Sequence, residues 1–464
     1  MLFDKLKHLK MIVKKPPSEV IVILLALLVV PIFVFGNKYA QISLPAKNIG
    51  IDNTIQLDKD IFLPPPTILD KLSEKDDELA KVPVSIGSKD IIYYENRYVV
   101  LPHGDQIKCE KDGDLWDKKE GVCKSVTRKK ISDKELVLGL KLLNTKTGEV
   151  EIITAHAKID VNGVKIEAPD GYQIEIVERP NGIRWNYWNT LYRVITPEDT
   201  VVIKNNYPRE TIATVSSVVK GRVVKTTKKV VQGFLYVPHS EFFEKEENKK
   251  ILVEAGREHI KNIVSQAFSD LRDRGVQSRA FVGGLVADTD VFLFRFLERI
   301  PLLEQGDFTE FQLDPQKTAE RVLIILGANG DNAWRYTCNR SDACGWVQFT
   351  PGTYNSLRTK FYASAALEED FKEGAGDQIN SMMAAILLYD YNLSDLIDKY
   401  GKKVVEDPRL EEYLAAAYNG KPVWVWNSLN ATLGKTVDDW TKYLKKETIG
   451  FIYKLRYLIE NDLP

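Results

Sequence analysis

The hydrophobic period of the chain changes near residue 244, and that change limits the folds open to it. From 89 to 243 the sequence runs in short alternating or β-branched stretches such as "ELVLGLKLL", "EVEIITAHAKIDV" and "YQIEIVE". Turn-forming "TKTGE", "VNG" and "RPNG" separate them. Alternation at period two between such turns reads as strands. From 244 to 464 the period becomes helical. Leu252, Ala255, Ile260, Ile263, Val264, Ala267, Phe268 and Leu271 share one broad face, and Gly275 follows as a stop. Asp314 and Pro315 open another helical segment as cap and first-turn residue. The expected class is multidomain α+β, with a β-rich module over 89–243 and an all-α domain over 244–464.

The N-terminus adds a third character. Lys5, Lys7, Lys10, Lys14 and Lys15 precede an uncharged apolar run from Val20 to Gly36. As a helix the run is roughly 25 Å long, a little short of a bilayer core. It is expected to be a transmembrane signal anchor (20–36) with its basic head (1–19) in the cytoplasm and the bulk of the chain outside the cell membrane. A cleaved signal peptide is the rival reading. Residues 37–88, with "IFLPPPTILDKLSEKDDELAKVP", read as a tether.

With 464 residues and a formal charge of -1, the chain offers no basic field to draw a nucleic-acid partner. The four cysteines fall into local pairs, Cys109 with Cys123 and Cys338 with Cys344, which suits two disulfides in an oxidising compartment. The five histidines do not flank these pairs, so a zinc site is disfavoured and no metal is expected. Trp185, Tyr187 and Trp188 in "RWNYWNTLY" are candidate sugar-stacking rings, with sheet-core packing the commoner use of aromatics at strand spacing.

The segment "CGWVQFTPGTY", Cys344 to Tyr354, combines an indole, an amide, two threonines and a proline in one turn. Asn380 followed by "SMMAAILLYDYN" and then Ala417-Tyr418-Asn419-Gly420 come after it in the helical half. In this order the three stretches resemble the motifs of the soluble lytic transglycosylase (SLT) domain, which shares a fold with goose-type lysozyme. The likeness covers about residues 290 to 430. It implies a lysozyme-like fold and cleavage of the β-1,4 bond between N-acetylmuramic acid and N-acetylglucosamine in peptidoglycan. It also implies Gln348, Tyr418 and Asn419 as substrate contacts, with capping of the turn and of the helix ending at Gly420 as their structural alternatives, and no cofactor. Asn329 is a further candidate substrate contact, and Trp346, Trp424 and Trp426 are either stacking faces for sugar rings or packed residues. Glycine directly after Asn419 departs from the family pattern.

Such a reaction needs an acid to protonate the leaving oxygen. A single glutamate suffices if the substrate's acetamido group stabilises the anomeric carbon. The same glutamate then acts as base on the C6 hydroxyl and yields a 1,6-anhydro product. Local spacing places Asn329 where the family has its glutamate, and an amide cannot give a proton. Asp331 is nearby but shorter. Glu304, at the end of "RIPLLEQ" with polar Gln305 next, matches the helix-end pattern if residues from Phe308 to Trp334 are an insertion. Glu304 is therefore the preferred acid, with Glu298 as a spare and a solvated surface role as the ordinary alternative. Hydrolysis of the lysozyme kind is a near neighbour. A second reading is an inactive glycan-binding scaffold whose β-rich module docks other cell-envelope proteins. A third is a part of a secretion or conjugation machine.

Overall fold

The β-rich half is organised by one long strand. In the computed structural model, which describes residues 67–464 except 101–114, 118–121, 161–162, 179–184, 220–221, 289–290, 340 and 433–438, Pro65–Pro464 form one compact unit. Side chains of 88–134, 159–163, 214–225 and 289–293 are not described. Strand β3 (Val122–Asn144) pairs antiparallel with β1 (Ser85–Val100) along its first part. Its last part lies between β4 (Val150–Asp160) and β8 (Thr200–Val219). The short β2 (Leu115–Asp117) also pairs with β3. The seven-stranded sheet is completed by β5 (Gly163–Glu167) beyond β4 and β9 (Arg222–Tyr236) beyond β8. A separate pair, β6 (Gln173–Ile176) and β7 (Tyr192–Thr196), forms a second small sheet.

The alternation legible in "ELVLGLKLL" is what fixes the sheet's two faces. Leu136, Leu138, Leu140 and Leu142 are buried together with Ile153, Ala155 and Ala157 from β4. Leu143 and Lys141 lie among the opposite set and are also buried, because two short helices cover that side. Helix α1 (Ile68–Ser73) brings Ile68 and Leu72 into the core, and α2 (Asp76–Lys81) brings Leu79. The Lys141 ammonium donates to the carbonyls of Leu72 and Glu74 and pairs with Asp76. Residues from 67 onward in the expected tether are therefore folded onto the sheet, and the strands begin at Ser85.

The helical half starts with α3 (Glu246–Asp273), followed by α4 (Val291–Gln305), α5 (Phe308–Leu313) and α6 (Pro315–Asn329). Then come α7 (Pro351–Ser356), α8 (Phe371–Gly376), α9 (Gln378–Tyr400), α10 (Leu410–Gly420), α11 (Pro422–Thr432) and α12 (Lys446–Glu460). Helices α3 and α6 cross at backbone distance through Gly256 and Gly327. A methyl on Gly256 would sit 2.1 Å from the Leu323 carbonyl, and one on Gly327 2.1 Å from that of Leu252. Helix α9 runs through the core, with Met382 to Leu387 all buried. Tyr187 and Trp188 pack against this helical core, Trp188 edge-on to Trp334 and Tyr187 to Tyr236. Trp185 packs on Tyr192 and Tyr207. These rings belong to the core rather than to an open stacking surface.

The α+β character stands, but the membrane component of the expected class does not. Among the described residues no helix is long and apolar enough to cross a membrane. The run from Val20 to Gly36, on which that expectation rested, lies outside the described residues. The transmembrane anchor, the single-pass topology and the membrane localisation are accordingly dropped.

Candidate functional site

The turn from Cys344 to Phe349 is held from four directions. Its ends pair with each other, Cys344 N–H to the Phe349 carbonyl at 2.8 Å and the reverse at 3.0 Å. A disulfide joins Cys344 to Cys338, and Gly345 N–H reaches the Thr337 carbonyl at 2.9 Å. From α9, Ser381 accepts the Trp346 indole N–H at 2.9 Å. From α10, the Tyr418 hydroxyl donates to the Val347 carbonyl at 2.7 Å. From the end of α4, the Gln305 amide donates to the carbonyls of Trp346 at 2.8 Å and Gly345 at 3.2 Å. Within the turn, the Gln348 amide donates to Gly345 at 2.7 Å while its own backbone is left-handed, φ 52°.

Gly345 is required for this geometry. Its φ is +77°, and a Cβ would lie 1.9 Å from the Ala375 carbonyl. Gly345→Ala is expected to cost about 2 kcal/mol or more, from backbone strain before the clash is added. A lowered thermal unfolding midpoint would register it.

Glu304 immediately precedes Gln305, so the clamp on the turn also fixes the acid's helix end. The Glu304 side chain is half-buried. Burial pushes its carboxyl up to about 7, the Lys454 ammonium pulls the other way, and the Glu447 charge adds to the rise. Lys454 rises from α12 and is almost fully buried. Its ammonium donates to the carbonyls of Leu303 and Gly306, the latter at 3.0 Å, and so caps the C-terminal end of α4. Burial lowers the Lys454 ammonium to about 8, against the favourable charges of Glu304, Asp307 and Glu447. Burial, and then the Glu304 charge, hold the Tyr418 phenol well above its ordinary value. A partly desolvated carboxyl poised near neutrality, beside a tyrosine and a rigid turn, can both give and take a proton.

Beside this centre lies a groove of about 610 Å³, lined by Thr350 and Thr353 after the turn, Asn392 and Asp395 on α9, Tyr418 on α10 and Trp426 on α11. Glu304 does not line the groove, and Tyr418 is the residue common to both.

The other candidates divide. Asn419 on α10 accepts from Thr448 on α12 at 2.9 Å, tying those two helices. Trp346 is 1 % exposed and its indole N–H is used by Ser381, so it offers no ring face to a sugar, and the expected stacking role is corrected to a core one. Asn329 is likewise committed elsewhere. Its amide donates to the carbonyls of Val237 and Ile325, both at 3.0 Å, and its oxygen accepts Val237 N–H at 2.8 Å. It joins the end of α6 to the chain leaving β9, and a substrate role for it is withdrawn. Asp331 is exposed, 3.8 Å from His259. Glu298 is buried beside Arg295 at 3.9 Å, and burial raises its carboxyl. Cys109 lies outside the described residues, and with it the expected Cys109–Cys123 pair.

Restoring an acid at the locally expected position should fail. Asn329→Asp cannot donate to either carbonyl and faces both with negative charge. It is expected to cost about 2 kcal/mol or more, seen as a lower urea midpoint, and to add no glycan cleavage.

Sequence reasoning missed Lys454 and Asn392. Lys454 interrupts the buried stripe Phe451, Ile452, Leu455 and Leu458 of α12, and a lysine on an apolar helix face was the available signal. Asn392 sits on the buried face of α9 in the same way. Among the described residues no group of three or more His, Cys, Asp or Glu side chains is arranged to hold a metal ion. Comparison with family models, curated proteins and solved structures returned no match.

Proposed function

We propose that the helical half cleaves peptidoglycan glycan strands without hydrolysis, at the β-1,4 bond between N-acetylmuramic acid and N-acetylglucosamine, with Glu304 as acid and then base. The observation that carries the reading is the Glu304 carboxyl at the clamped end of α4, raised by burial to about 7 beside Tyr418. At that value a large fraction is protonated at neutral pH and the conjugate base remains accessible. In the first step Glu304 gives its proton to the glycosidic oxygen as the C1–O bond breaks, and N-acetylglucosamine leaves with a free hydroxyl. The acetamido oxygen of the muramic acid shares its electron pair with C1. In the second step the Glu304 carboxylate removes the C6 hydroxyl proton while O6 bonds to C1 and releases the acetamido oxygen. Glu304 is protonated again and no water is consumed. Two catalytic carboxylates are not needed, in contrast to the paired arrangement of most glycosidases.

Tyr418 and the turn supply position rather than protons. The phenol is held un-ionised, and its hydroxyl is spent on the Val347 carbonyl. Purified sacculi incubated with the full chain test the proposal. Products ending in 1,6-anhydromuramic acid support it. Products with a reducing end indicate lysozyme-type hydrolysis, and binding without product indicates a scaffold.

A further inference from the structure

Asn392 is 1 % exposed, yet neither its amide nitrogen nor its carbonyl oxygen has a protein partner. The other buried carboxamides of α9 are fully employed. Gln378 donates to the carbonyls of Gly330 and Ala333, both at 3.1 Å, and shares a contact with His259 at 2.6 Å. Asn380 donates to Tyr354 and Gly374, both at 2.7 Å, and accepts Glu368 N–H at 2.9 Å. A buried amide left unpaired on both sides costs stability, and among the described buried carboxamides Asn392 lacks a partner at both atoms where Asn205 and Asn206 lack one only at oxygen. Asn392 lines the groove, and so does Trp426 on α11, whose buried indole N–H is also unpaired. Three unused polar atoms, two donors and one acceptor, thus belong to two side chains that line one groove, each atom covered until its side chain turns toward the opening.

We propose that the Asn392–Trp426 end of the groove is a binding subsite for a secondary amide, with the Asn392 nitrogen donating to the ligand carbonyl and its oxygen accepting the ligand N–H. The carboxamide presents donor and acceptor in one plane, which an amide complements and a hydroxyl does not. Its terminal torsion is soft, so the plane can tilt toward the groove. The indole N–H gives the ligand carbonyl a second donor. Asp395 lines the same end and disfavours an anionic ligand. Leu388 and Phe361 provide apolar wall for a methyl group. The volume, about 610 Å³, lies within the ~300–1,000 Å³ usual for small-molecule sites. This subsite deepens the glycan-cleavage reading and rests on it for the polymer, whose amides have two sources, the acetamido groups of the sugars and the peptide stem.

Binding to the full chain separates these sources. The probes are chitotriose, its fully de-N-acetylated counterpart, and the sugar-free dipeptide L-alanyl-D-isoglutamine, with affinities read by calorimetry. Asn392→Leu is expected to weaken the amide-bearing probe at least tenfold, as sites built around hydrogen bonds penalise their loss. It should leave the thermal midpoint unchanged or raised, because an unpaired buried amide is replaced by a side chain of similar size. Weakened chitotriose identifies the acetamido group, and a weakened dipeptide identifies the stem. Asn392→Ser, a smaller change, repeats the test should the leucine variant fold poorly. The proposal is overturned if the variants bind every probe as the wild type does. It is also overturned if the de-N-acetylated trimer matches chitotriose and the dipeptide does not bind, or if no amide probe binds at millimolar concentration. Cleavage of sacculi by Glu304→Gln is followed in parallel. Retained cleavage there sinks the proposed chemistry but leaves an Asn392 effect standing, and the converse spares the chemistry.

Discussion

Glu304→Gln is expected to lower glycan-strand cleavage by roughly 10²–10⁴-fold, the usual contribution of a positioned acid–base group. Glutamine matches the shape and can donate a hydrogen bond, but it gives no proton to the leaving oxygen. The turn should remain in place, because it is Gln305 that holds the Gly345 and Trp346 carbonyls. Lys454 keeps the charges of Asp307 and Glu447 nearby. The change should therefore separate chemistry from folding. Its pH signature has a definite sign. The folded-state pKa of Glu304 is raised, so its contribution to stability is fully present below the ordinary carboxylate value and is lost as pH rises through about 7. The glutamine variant should lack that loss, and its unfolding midpoint should fall less than the wild type's between about pH 4.5 and 7. Wild-type cleavage, which needs the protonated acid, should decline above about pH 7.

Lys454→Met should give the largest loss of stability among the substitutions considered. It removes the donor to the Leu303 and Gly306 carbonyls. It also removes the positive charge that favours the ionised form of Glu304. Leaving those two buried carbonyls without their donor costs about 1–3 kcal/mol each, measurable by chemical denaturation. The same change acts on chemistry in the opposite sense from Glu304→Gln. Lys454 is the group that pulls Glu304 down, so its loss leaves burial and Glu447 to push the carboxyl higher still. The alkaline limb of the cleavage profile should move upward in pH. A merely structural lysine would lower stability and leave that limb where it was.

Much of the fold was legible because its local signals agree with its packing. The alternation of "ELVLGLKLL" became one buried face of β3, and Asp314 caps α6 as its position before Pro315 indicates, accepting Lys317 N–H at 2.9 Å. The folding of "TILDKLSEKDDELAK" onto the sheet was not legible. Only Ile68, Leu72 and Leu79 are buried there, too few apolar residues to reveal a period among the charges. The long reach of β3 past β4 to β1 was also hidden, since pairing partners are set by tertiary register rather than composition.

For the candidate site, the turn was readable as a motif, but the roles of its side chains were not. Trp346 looks like a stacking platform in sequence and is a core residue in space. Asn329 looks like a lost acid and is a bridge to Val237. Both misreadings share a cause. A polar or aromatic residue next to a motif has many possible partners, and only the fold selects among them. Glu304 is the reverse case. Ordinary in sequence, it acquires its raised carboxyl from burial, and α12, a helix more than a hundred residues downstream, brings both Lys454, which lowers it, and Glu447, which raises it.

The most direct test of the account is the product released from purified sacculi by the full chain and by Glu304→Gln at equal loading, identified by mass spectrometry. The account predicts muropeptides ending in 1,6-anhydromuramic acid from the wild type and none above background from the variant, with sacculus binding retained in both. The same anhydro product from the variant, or no product from a wild type that binds sacculi, would contradict it.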